Sequence, residues 1–198
     1  MGSHCGYPFQ TINFMKFQKN ILVKILIITT IILFIIYNMG IQIGNVRIGK
    51  QVDLLVKQDY EYENSLFYKN YYSKKNLIVL NTWATWCKPC LEEIPELNAI
   101  KESYKNDSIY FLSLSVDEDS QKLKKYLDKG SLMFYDFTLE DLKYRTAILN
   151  LIEGRPVEKH ILTYSVPKTF IIKNQKVLFV IDGQIDDTEL RYQINKNK

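Results

Sequence analysis

The chain has 198 residues, 46% hydrophobic and 13% aromatic, enough for one globular domain with some chain left over. Its formal charge of +4 is uneven: residues 1–52 carry Lys16, Lys19, Lys24, Arg47 and Lys50 and no acid, +5, so the rest sums to −1. A nucleic-acid protein keeps its basic residues on the folded domain where they can meet phosphates, so this distribution argues against that class.

Residues 1–20 read as a short amino-terminal tail. Its leader, "MGSHCGYPFQTINF", fits poorly with the chain after it, and "MKFQKNILVK" reads as a natural start at Met15. No role is assigned to His4 or Cys5. Residues 21–43, "ILVKILIITTIILFIIYNMGIQI", contain Lys24 as their single charge; as a helix they would span roughly 35 Å against a hydrocarbon core of about 30 Å. No small-x-small cleavage site ends the run, so it is expected to be an uncleaved, single-pass signal anchor that contacts membrane lipid. Flanking lysines and arginines nearly balance. The acid-free, lysine-bearing start resembles an export signal, which puts the amino terminus in the cytoplasm and the body outside.

Residues 44–76 are polar and tyrosine-rich and are expected to be a linker plus a peripheral strand or turn. Residues 77–198 form the expected folded domain. "LIVLNTW" predicts a buried strand over Leu77 to Thr82. Ile94, Leu97, Ile100 and Tyr104 form one helical stripe between Pro89 and Lys105, kinked by Pro95. Ile109 to Val116 predicts a second buried strand, followed by a helix with acids at its start and Gly130 as its stop. Parallel pairing is implied by this β-α-β-α order. Thr138 and Asp141 suggest a capping box for a helix ending near Ile152. "KTFIIK" and "KVLFVID" around Asn174 and Gln175 predict an antiparallel hairpin, and Leu190 with Ile194 a final helix.

Cys87 and Cys90 stand where the first strand meets the first helix. There the unpaired N–H groups and the helix dipole favour a thiolate at Cys87, with Lys88 adding positive charge, and Cys90 one turn in can resolve a mixed disulfide. A static bridge would close almost no loop and stabilise little. Zinc needs about four ligands, and the part expected outside the membrane offers no third cysteine and only His160 besides the pair. Electron exchange is the favoured reading.

"WATWCKPC" followed by "LEEIPEL", with "SVPKTFII" downstream, resembles the thioredoxin superfamily, and within it the membrane-anchored TlpA/ResA-like thiol-disulfide oxidoreductases. The likeness covers roughly residues 60–198, and on it the stretch from about Leu132 to Thr163 is expected to be an insertion beside the reactive cysteines. It implies an α/β thioredoxin fold, a central mixed sheet flanked by helices, after an amino-terminal transmembrane helix. It implies Cys87 as the exposed nucleophile, Cys90 as its resolving partner, and Pro167 as a cis-proline facing them. Glu93 would relay protons to the buried thiol, and Asn81 stands where thioredoxin has a buried aspartate. Trp86, Lys88, Pro89 and the Val166 backbone would meet the substrate; Trp83 is expected in the core, and Gly183 matches a glycine near the site. No cofactor beyond the Cys87–Cys90 disulfide is implied. The implied partners are exported proteins with cysteine pairs, as in cytochrome c maturation, and a membrane electron donor of the DsbD/CcdA type. A copper-binding thioredoxin-fold protein using Cys87, Cys90 and His160 is the competing reading.

Overall fold

Side chains that alternate along the central strands go to two different cores, and that alternation sets the layers. The computed structural model describes residues 22–34, 41–43, 46–48, 58–132, 134–159 and 163–198, with backbone only for 41–43 and 46–48. Five strands lie in the order β5-β4-β3-β7-β8: β3 (Leu77–Trp83), β4 (Ile109–Ser115), β5 (Tyr135–Asp136), β7 (Lys168–Lys173) and β8 (Lys176–Asp182). β3 runs parallel to β4, and β4 to β5; β7 is antiparallel to both β3 and β8. The sheet is therefore mixed, with a thioredoxin-like arrangement.

Leu77, Val79 and Ile171 point to one face, where α2 (Lys88–Ser103) and α5 (Asp187–Asn197) supply Leu97, Ile100, Leu190 and Ile194. Ile78, Leu80, Leu112, Leu114, Phe170 and Ile172 point to the other, where α3 (Ser120–Leu127) gives Leu123 and α4 (Arg145–Ile152) gives Ile148, Leu149 and Ile152. Both faces being apolar explains why β3 reads as a continuous hydrophobic run. α2 passes through Pro95 without ending. The β7–β8 turn places Asn174 at φ 52° and Gln175 at φ 62°, the left-handed pair that matches a two-residue hairpin to strand twist.

Several expectations change. Residues 22–34 are helical (α1), but the chain is extended at β1 (Ile41–Ile43), which pairs antiparallel with β2 (Val46–Ile48). The helix expected over 21–43 therefore does not reach Ile43, because β-branched isoleucines there satisfy their backbone groups across a ladder. No described helix is long and apolar enough to cross a membrane. A small second sheet, β1-β2-β6, is completed by β6 (Thr163–Ser165), which no sequence signal announced.

Within 44–76 the chain holds the peripheral strand β2 and, beyond it, two helical turns. A 3-10 turn (Tyr62–Asn64) and a π-helical turn (Tyr68–Tyr72) bring Phe67 and Tyr72 into the core, with Phe67 stacked on Phe137 at 5.1 Å between ring centres. The capping box at Thr138 and Asp141 does not form either. Asp141 caps no helix and instead accepts the N–H groups of Leu66 and Phe67 at 2.8 and 2.7 Å. Thr138 Oγ1 accepts the N–H of Ser115.

Candidate active site

The site forms where β3 stops and α2 begins. Cys87 is the N-cap of α2 and its Sγ accepts the N–H of Cys90 at 3.3 Å, so one orphan donor of the first turn points at this sulfur. The two cysteines are joined as a disulfide. Across from them the Val166–Pro167 bond is cis, and Cys87 Sγ lies 3.7 Å from the Val166 carbonyl oxygen. Cys87 is 0% and Cys90 1% exposed. Cys87 is thus not the exposed member of the pair in this oxidised state, because its sulfur is turned inward against the Val166 backbone.

Glu93, one turn along α2 from Cys90, is buried beneath the site. Its carboxylate accepts Asn81 Nδ2 at 3.0 Å and the N–H of Ile185 at 3.0 Å, and Asn81 also donates to Thr169 Oγ1. Burial pushes the Glu93 carboxyl up to about 7, against the opposing pull of those two hydrogen bonds. An acid poised there can take or give a proton near neutrality. Asn81 and Thr169 sit on the α2 side of the sheet for the same alternation reason that puts Val79 and Ile171 there.

The loop after β8 contacts three parts of the site in three successive residues. Gly183 N–H donates to the Pro167 carbonyl at 3.0 Å, Gln184 Nε2 donates to the Pro89 carbonyl at 3.2 Å, and Ile185 N–H reaches Glu93. Gly183 adopts φ +104°, a conformation that side chains rarely take, so a glycine is required there. Lys88 points outward, 86% exposed, and pairs with Glu92 at 3.5 Å; that pairing draws its charge toward Glu92. Trp86 is half-buried. Trp83 is in the core, its indole N–H donating to Asp136 at 2.8 Å.

Sequence reasoning missed Thr85, Asp117, Gln184 and Ile185. Asp117 stands in an acidic run that reads as a helix start, yet it is Asp119 that caps α3; Asp117 turns back to Thr85. Gln184 and Ile185 carry no signal beyond standing next to Gly183. Among the described residues no group of three or more His, Cys, Asp or Glu could hold a metal ion, and His160 lies outside the described residues.

The chain is 28% identical over 151 residues to the thiol-disulfide oxidoreductase ResA of Bacillus thuringiensis subsp. konkukian (strain 97-27), covering 76% of this chain and 78% of that protein. Among solved structures, StoA from Bacillus subtilis aligns over 61% of this chain and 84% of its own, with TM-score 0.45 and 17% identity. A thiol:disulfide interchange protein DsbE structure from Chlorobium tepidum aligns over 63% and 82%, with TM-score 0.48 and 20% identity. The AhpC/TSA family pattern matches residues 49–181, which takes in the cysteine turn, the buried acid and the cis-proline loop together. With two thirds of its length inside that match, the chain belongs to the AhpC/TSA family.

Proposed function

We propose that this protein is a membrane-anchored, extracytoplasmic thiol-disulfide oxidoreductase that reduces disulfides in exported proteins, as in cytochrome c maturation. The observation that carries the exchange chemistry is a buried acid, pushed up to about 7, one turn beneath a Cys-x-x-Cys disulfide that faces a cis-proline. In the reducing direction the Cys87 thiolate attacks one sulfur of the partner's disulfide and releases the other as a thiolate. Cys90 then gives its proton to the Glu93 carboxylate and attacks Cys87 Sγ. The partner leaves as a dithiol after protonation, and Cys87–Cys90 is left oxidised; two electrons have moved to the partner. A membrane donor of the DsbD/CcdA type would restore the dithiol.

Support for the anchor comes from α1, where large apolar side chains from Leu22 (64%) to Phe34 (68%) are exposed, a face that water does not favour and lipid does. Partner recognition is assigned to the Val166 backbone beside Pro167, with Trp86, Lys88 and Pro89 on the opposite rim.

The test is trapping. With Cys90→Ser the chain is expected to accumulate a mixed disulfide through Cys87 with a cysteine-pair substrate, whereas Cys87→Ser accumulates none. Non-reducing gels with mass spectrometry read this directly. Trapping through Cys90 instead would reverse the roles, and no adduct with either variant would remove the exchange reading.

A further inference from the structure

Arg145 is 1% exposed, inside the insertion and at the first position of α4. Burying a guanidinium is costly, and placing it at the positive end of a helix adds to the cost. It donates from Nη1 to the main-chain carbonyl of Asp117. Asp117 is itself 2% exposed, and its carboxylate accepts Thr85 N–H at 2.7 Å, Thr85 Oγ1 at 2.6 Å and Ser115 Oγ at 2.8 Å. Thr85 belongs to the turn Ala84–Cys87, which is closed at its other end by Cys87 N–H donating to Ala84 O at 3.1 Å. Buried Ser115 on β4 and buried Arg145 on α4 thus meet at Asp117, whose carboxylate holds the turn that delivers the reactive sulfur.

We infer that Asp117 is a positioning residue for Cys87 and that Arg145 makes the insertion part of that support, so the placement of the reactive turn depends on how α4 is seated. The physical reason is the narrow geometry at the helix terminus. Cys87 Sγ gains stabilisation as a thiolate only while it stands over the first-turn N–H groups, and small displacements of a reacting group carry large rate penalties. Asp117 holds the turn at Thr85, two residues before the cysteine. The inference rests on the exchange chemistry proposed above and gives the insertion a task within it.

A double-mutant cycle on the full chain tests this, because Thr85 and Arg145 should be coupled through Asp117. Thr85→Val removes the hydroxyl while keeping the N–H; Arg145→Lys keeps the charge while shortening the reach. The probes are iodoacetamide alkylation of the reduced protein across pH and equilibration with dithiothreitol. Each single variant is expected to slow Cys87 alkylation about tenfold, the scale of one lost charge-assisted hydrogen bond, and to raise the pH midpoint of that reaction. The double variant is expected to be no slower than the slower single. Lower melting temperatures with unchanged rate and midpoint, or single effects that multiply to about a hundredfold, would overturn the inference. If Arg145→Lys does not fold, Asp117→Asn replaces it in the cycle, because it removes the charge and keeps an acceptor for the Thr85 N–H. Failure of the parent chain to exchange with dithiothreitol would instead remove the exchange reading.

Discussion

Glu93 combines two pressures that act in opposite directions, and burial wins over its two hydrogen bonds. Its folded pKa of about 7 stands above the ordinary 4.5, so between those values the folded protein holds a proton that the unfolded chain gives up. The stability this contributes is fully present below about pH 4.5 and lost as pH rises through about 7. The loss should amount to about 3 kcal/mol, and Glu93→Gln should flatten that part of the profile, as urea unfolding of oxidised parent and variant between pH 4 and 8 will read. Turnover should respond with the opposite slope. The carboxylate form is what accepts the Cys90 proton, so parent activity should rise with pH through about 7, and Glu93→Gln should lower it on the order of a hundredfold while leaving no inflection there. An unchanged pH profile in the variant would remove Glu93 from proton transfer.

Between elements, two contacts hold the framework that presents the site. Asp141 accepts two main-chain N–H groups from the helical turns before β3, so Asp141→Ala takes the acceptor from the buried Phe67 donor and the part-buried Leu66 donor. A loss of roughly 2–4 kcal/mol is expected, with Asp141→Asn recovering about half of it; equilibrium denaturation compares the three chains. Gly183 makes the second contact. A Cβ there meets nothing within 4 Å, but φ is +104°, so Gly183→Ala should cost roughly 1–3 kcal/mol by backbone strain alone. Because Gly183 N–H holds Pro167, the same variant should also slow mixed-disulfide formation by Cys87, and a loss of stability with no kinetic change would show that this loop is only a turn.

For the molecule as a whole, the proposed anchor poses the question of which side of a membrane the disulfide would face. The proposed anchor rests on the exposed apolar residues of α1, and its proposed direction, with the folded domain outside, on the acid-free, lysine-bearing start of the chain. The full chain should stay with membranes after a carbonate wash, and protease added after opening the outer envelope should digest residues beyond the anchor. A soluble, shortened product would overturn the anchor, and a protected domain would reverse its direction.

Reading along the chain was enough for β3, β4, β7, β8, α2 and α5, because each carries a local signature: apolar runs buried on two faces, a three-and-four stripe, or a two-residue turn between strands. Cys87 and Cys90 were legible for a similar reason, since their motif is contiguous in the chain, whereas the cis bond at Pro167 was expected from the family resemblance alone. The rest depended on partners distant in sequence. Asp141 resembled a helix cap until residues 66 and 67, more than seventy positions earlier, supplied its donors. β5 and β6 have two and three residues, too few to show a period. Glu93 could be singled out by resemblance, but its poise near neutrality comes from burial and from Asn81 and Ile185. Asp117 was legible only as one acid of a helix start and Arg145 carried no signal in the chain; tertiary packing buries both and brings Arg145 to the Asp117 carbonyl.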